Sequence, residues 1–212
     1  MSLAIVYTRA ALGIEAPLIT VEVHLSNGLP GLTMVGLPET TVKEARDRVR
    51  SALINSGYAF PAKKITINLA PADLPKEGGR YDLPIALALL VASEQLNTTR
   101  LNQYEFVGEL ALTGGLRGVP GAIPSAMEAI KAGRRIVVSS DNAAEVGLIG
   151  GSDCLVADHL QEVCAFLAGQ TSLSPPLAEA PTVDERGEDL RDGLGQQQGK
   201  RALEIVAAGG HN

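Results

Sequence analysis

Ile19, Val21, Val23 and Leu25 occupy every second position between Leu18 and Leu25, the period-two pattern of a strand with one buried face. Ala4 to Thr8 and Leu32 to Val35 read the same way, and Asn27-Gly28 and Pro30-Gly31 punctuate the stretch as turns. These three segments predict an antiparallel meander. The period then becomes helical. Thr41-x-x-Glu44 is spaced as a capping box, in which a hydroxyl and a carboxylate satisfy each other's orphan backbone donors. The helix is predicted to reach Asn55 and stop at Gly57, with Val42, Ala45, Val49, Ala52 and Leu53 inward and an i,i+4 pair of Glu44 and Arg48 outward.

A strand from Ile65 to Leu69 follows, then a loop rich in proline and glycine from Ala70 to Arg80. An apolar helix from Leu83 to Glu94 carries Pro84 in its first turn, where proline is tolerated. Beyond a strand-like segment, Glu105 to Leu112, and a glycine-rich turn, Thr113 to Gly118, helices and strands alternate. Ala122 to Ala132 reads as helix, Ile136 to Ser139 as strand, Asn142 onward as a short helix, Cys154 to Ala157 as strand and Leu160 to Leu167 as helix. This order predicts an α/β (α+β) domain of two layers on a mixed sheet, spanning residues 1–168. From Gly169 to Asp192 the chain is dominated by Ser, Pro, Glu and Asp, with too few apolar groups to offset the entropy of ordering, so a flexible acidic linker is expected. Helical periodicity returns between Gln196 and Ala208 and ends at Gly209-Gly210 with nothing after it to pack on. Residues 193–212 are therefore read as the start of a further domain, and the chain as a piece of something longer.

Composition adds exclusions. Hydrophobic residues at 45% and charged residues at 20% are ordinary for a globular protein, and no run approaches the roughly 18 apolar residues of a membrane span. Met1 leads straight into a strand pattern rather than a basic and apolar signal segment, so a cytoplasmic location is expected. Cys154 and Cys164, like His24, His159 and His211, lack metal-ligand spacing and are read as structural. The net charge is −6, with 14 basic against 17 acidic residues in 1–178 and 4 against 7 in 179–212, so nucleic-acid contact would need a local patch. Lys43, Arg46 and Arg50, at i, i+3 and i+7 on the capped helix, offer one, with Lys63, Lys64 and Arg80 in or near adjacent loops. A solvated helix face partly neutralised by Asp47 accounts for the same spacing. Aromatic residues are only 3% and tryptophan is absent, so stacking platforms for single strands are expected to be scarce.

The loop before the second helix is the most distinctive segment. Gly78-Gly79 gives a tight turn with exposed backbone donors, and Lys76, Glu77, Arg80 and Asp82 gather around it, as in a ligand or catalytic loop. A connection whose glycines permit unusual dihedrals, with Asp82 capping the following helix, uses the same residues.

A strand, Pro75-Lys76-Glu77-Gly78, an apolar helix, a Gly108-Glu109 turn, and Gly121 with a helix ending Lys131-Ala132-Gly133 together resemble the proteolytic domain of Lon. That resemblance implies a serine nucleophile and a lysine base. The corresponding positions fall at about Asp82 and Ile123. Aspartate forms no acyl-enzyme in this chemistry, isoleucine cannot accept a proton, and Ser125 has no lysine placed to activate it. Peptidase activity is expected to be lost.

Residues 36–51, 67–85 and 200–212, including Lys76-Glu77-Gly78-Gly79-Arg80-Tyr81-Asp82 and Gly209-Gly210-His211-Asn212, resemble the ComM/YifB family, grouped with the magnesium-chelatase ATPases. The resemblance covers nearly the whole chain and implies a Lon-like domain ahead of an AAA+ motor. It also implies ATP and Mg2+ for the full-length protein, a hexameric ring, and a helicase acting on branched or single-stranded DNA, promoting branch migration during recombination in natural transformation. No Gly-x-x-x-x-Gly-Lys-Ser/Thr loop occurs before Asn212, so this chain is not expected to hydrolyse ATP. Leu194, Gly195 and Gln196 resemble the segment that wraps the adenine in such motors and would form one edge of a nucleotide site. Three roles fit the Lon-like domain: a DNA-engaging collar, a module for ring assembly or protein docking, and a residual peptidase. The rival is a magnesium-chelatase subunit proper, expected to share the motor and to lack residues 1–170.

Overall fold

The structure, a computed structural model, describes residues 3–36, 44–149, 153–176 and 195–209. It divides into two units, Met1–Ala178 and Glu179–Asn212. In the first, β1 (Leu3–Arg9), β2 (Leu18–Ser26) and β3 (Gly31–Val35) precede helix α1 (Ala45–Asn55), β4 (Lys64–Ala70) and helix α2 (Asp82–Ala92). After β5 (Tyr104–Phe106), β6 (Glu109–Leu110) and β7 (Leu116–Arg117) come α3 (Ala122–Lys131), β8 (Arg135–Ser139), α4 (Ala143–Gly147), β9 (Cys154–Ala157) and α5 (Leu160–Leu167). Seven strands form one mixed sheet in the order β3-β4-β2-β1-β5-β8-β9, and β6 and β7 form a small hairpin.

The expected meander holds only for β1 and β2, which pair antiparallel. β4 lies between β2 and β3, antiparallel to β2 and parallel to β3, with Ile67 opposite Val23 on one side and Met34 on the other. The physical reason is the connection. β3 and β4 are joined through α1, and a helical crossover delivers parallel strands, whereas side-chain alternation specifies a face and not a neighbour.

Across these four strands the inward row, Val23, Ile67 and Met34, packs into the main core. The matching row on the other face is Ile5, Glu22, Asn68 and Val35, with Ile5 at 42% and Val35 at 43% exposure. α2 is buried nearly all round, against β1 and β2 and beneath α1, which explains an apolar helix without a polar face.

The two-layer expectation fits this half only. In the parallel half, Val137 joins the main core with α5 residues Leu160 and Val163. Ile136 and Val138 pack on the opposite face with Ala122, Ala126 and Ala129 of α3 and Val146 of α4. Helices therefore cover both faces, and continuous apolar runs such as Ile136-Val137-Val138 follow from that.

The halves meet where β1 and β5 pair in parallel. Fully buried Glu105 accepts from Arg9 Nε at 2.6 Å and Nη2 at 2.7 Å, and from Arg134 Nε at 3.1 Å. Arg9 also donates to the Ala16 and Glu128 carbonyls, both at 3.1 Å. The buried charges are thus paired and hydrogen-bonded, the condition under which burial is tolerated.

Two boundaries differ from expectation. Strand-like 105–112 divides into β5 and β6. The chain also stays with the sheet beyond residue 168: Leu173 packs on the core and Val156 N donates to Ser174 O at 3.0 Å. An apolar residue inside an otherwise polar stretch suffices to hold it there. The remainder of the expected linker, 177–192, lies outside the described residues, as do Thr41, Val42 and Lys43. In the second unit, α6 (Gln197–Gly209) leaves Leu203, Ile205 and Val206 exposed.

Candidate functional site

In the loop between β4 and α2, charged side chains face inward. Lys76 is fully buried and donates to the carbonyls of Pro71 and, at 2.8 Å, Leu74; burial pushes its ammonium below the ordinary lysine value. Arg80 donates to Pro120 O and, at 3.2 Å, to Arg9 O. At 3% exposure it belongs to the interior, which removes it from any DNA-binding stripe. The two glycines serve separate needs. Gly78 has φ +72°, and a Cβ on Gly79 would fall 2.4 Å from Glu109 Oε2. Just beyond them the backbone is tied to the Gly108 turn: Gly108 N donates to Arg80 O and Leu83 N to Gly108 O.

Asp82, the first residue of α2, makes no capping bond to that helix. Its carboxylate accepts from Arg48 Nε at 2.7 Å and Nη2 at 3.1 Å, and from Leu110 N at 3.2 Å. Burial raises it to about 6, with Arg48 pulling the other way. Arg48 accordingly turns inward rather than forming mainly the outward pair expected with Glu44, whose carboxylate is 3.8 Å away. Ile123 is half-buried in the first turn of α3 and Ser125 is buried, its hydroxyl donating to Gly121 O at 2.8 Å. The position expected to hold a nucleophile therefore holds one half of an ion pair.

The exposed cations are arranged differently. Arg46 and Arg50 of α1 and Lys63, just before β4, line a single groove of about 380 Å³ beside the edge strand β3. Leu32, Ile65 and Phe60 supply apolar lining, and Asp47 is its one carboxylate among the described residues. Arg46 Nε lies 3.1 Å from Asp47, and the Arg50 guanidinium sits over the Phe60 ring at 5.4 Å. Lys64 is exposed but belongs to the opposite face of β4 from Ile65, so it does not join this lining. Sequence reasoning missed Phe60. The signal was local: Tyr58, Phe60, Lys63 and Lys64 bring two aromatic and two basic residues together within seven positions, which an overall aromatic content conceals.

The cysteines and His159 serve the fold. Cys154 and Cys164 are buried free thiols in the two different core clusters. His159 caps α5, Nδ1 accepting from Gln161 N at 3.2 Å while Nε2 lies 3.1 Å from Thr113 O, the arrangement of an Nε2–H tautomer. Gly195 and Gln196 both have positive φ just before α6, and Lys200 N donates to Gln196 O; Leu194 lies outside the described residues. Among the described residues no helix is long and apolar enough to cross a membrane.

Comparison with known proteins places the chain. A family described as subunit ChlI of Mg-chelatase matches residues 21–142. YifB of Salmonella typhimurium is 74% identical over 212 residues and YifB of Escherichia coli 73%. The competence protein ComM of Haemophilus influenzae is 56% identical over 217 residues. Each alignment takes in 100% of this chain, which spans 42% of the length of either YifB and 43% of ComM. The family match falls inside the first unit, so residues 1–170 do not separate a chelatase-type protein from a ComM/YifB one as the sequence led us to expect. The chain belongs to the family of the Mg-chelatase subunit ChlI, in the group that includes YifB and ComM.

Proposed function

We propose that this chain is the non-catalytic, Lon-like part of a ComM-type ATPase and that it engages DNA for a motor lying outside residues 1–212. The observation that carries the reading is the gathering of Arg46, Arg50 and Lys63 in one groove, on a chain of net charge −6. A local basic patch on an acidic protein attracts phosphates while the rest of the surface repels them. Loss of peptidase chemistry is supported by the commitment of Asp82 to Arg48. The full-length protein would supply ATP and Mg2+ binding and a hexameric ring in the cytoplasm. Its action on branched DNA, as branch migration in natural transformation, is carried over from the resemblance to ComM.

The test is the double variant Arg46→Ala/Arg50→Ala in the full-length protein, titrated with labelled junction and single-stranded DNA across a salt series. Removing two phosphate-binding cations should lower the log–log salt slope by about 1.4–1.8 and weaken binding at low salt. Unchanged affinity and slope would leave DNA engagement to other parts of the protein.

A further inference from the structure

We infer that the groove between β3 and α1 seats one nucleotide of a single-stranded nucleic acid, its base on the Phe60 ring and its phosphate among Arg46, Arg50 and Lys63. The inference rests on the DNA-engaging reading and narrows it from a basic patch to a site with a face for the base. Phe106 and Phe166 are buried, and Phe60 is the half-buried phenylalanine, standing where the exposed cations gather. The groove's volume of about 380 Å³ is at the small end of the roughly 300–1,000 Å³ typical of sites for a single small ligand. It has the size for one nucleotide.

The position of Arg50 links the base and the phosphate. Its guanidinium covers the Phe60 ring at 5.4 Å, so the ring face is open to a flat group and is occupied by one that can leave. A base stacked on an aromatic ring outweighs an exposed cation–π contact. A base arriving on Phe60 displaces the guanidinium, and Arg50, still anchored on α1, turns to the phosphate of the same nucleotide. Arg46 exchanges its exposed partner Asp47 for that phosphate at little cost, since both groups of the pair are already in water. The apolar lining from Leu32, Pro30 and Pro61 receives the edge of the base.

The test uses this chain with a labelled twelve-nucleotide oligo-dT and a hairpin duplex, read by fluorescence anisotropy. Phe60→Leu keeps an apolar contact and removes the stacking face. It should weaken oligo-dT binding between about fivefold and a hundredfold and leave duplex binding unchanged, while Phe60→Tyr retains affinity. The triple variant Arg46→Ala/Arg50→Ala/Lys63→Ala should lower the single-strand salt slope by about 2. If the triple variant weakens binding but Phe60→Leu does not, the nucleotide seat is wrong and DNA engagement survives. If neither changes binding and both variants melt as the parent does, both readings fall. Poly-glutamate displacing oligo-dT at equal charge would make the groove a site for acidic peptides, which also overturns the seat. Photo-crosslinking of the unaltered chain to a bromodeoxyuridine oligonucleotide reads the contact without any variant: an adduct on Phe60 is expected, and adducts confined to other segments contradict it.

Discussion

Strands β3, β4, β2 and β1 bury one face under α1 and α2 and leave the other to solvent, whereas β5, β8 and β9 are covered by helices on both faces. The contrast is written in the side chains. β2 alternates strictly, while β8 is buried along almost its whole length. It also separates two tasks. The doubly covered half has little free surface on its sheet faces, and its buried groups serve packing. The open half carries the edge strand β3, the basic groove and the Arg48–Asp82 pair. A sheet covered once can be stable and still keep one face in contact with solvent; one covered twice gives up that face for a larger core.

Substitutions can break this contrast. The largest effect is expected at the seam. Glu105→Ala strands Arg9 without its buried partner, and chemical denaturation should show a loss of about 3–5 kcal/mol, the range for breaking one side of a buried pair. A loss under about 1 kcal/mol would mean that water or the Ala16 and Glu128 carbonyls satisfy Arg9 alone. Next, Ile136→Ala in the doubly covered half should cost about 2–5 kcal/mol through reduced burial and a cavity. Ile5→Thr on the open face should stay within about 0.5 kcal/mol. Equal losses would show that the open face is packed against something in solution.

The smallest effect concerns pH. Burial raises Asp82 to about 6, so between roughly pH 4 and 6 the native state holds this proton more tightly than the unfolded chain, whose aspartate titrates near 3.9. Stability from this group is fully present at or below pH 4 and is lost as pH rises through about 6. The unfolding free energy of the parent relative to Asp82→Asn should therefore fall by about 2 kcal/mol across that window. A flat difference, measured by urea titration at each pH, would show that Arg48 keeps the carboxylate charged throughout.

Most elements were legible because periodicity reports which face is buried: β9 and α5 match their expected bounds, and β1, β2, β4 and α3 extend or retreat by a residue or two. Strand order was not legible, since alternation in β3 says nothing of whether β2 or β4 lies beside it. The inward turn of Arg48 was available but overlooked. It falls three residues after Ala45 and four before Ala52, on the apolar stripe itself. Asp82 looked like a cap because helix starts favour carboxylates, and only the fold brings an arginine from 34 positions away. Arg80 could not be told from a surface cation, because its partners are backbone carbonyls from distant segments.

The Arg48–Asp82 pair also bears on ancestry. On the reading that residue 82 stands where a peptidase would carry its nucleophile, a single reversion to serine restores nothing. It would leave the Arg48 guanidinium facing a hydroxyl too short to replace two charge-assisted bonds, with Ile123 still unable to take a proton. Arginine, aspartate and isoleucine would have to change together. On that reading the ion pair would act as a ratchet, keeping the scaffold while closing the road back to proteolysis.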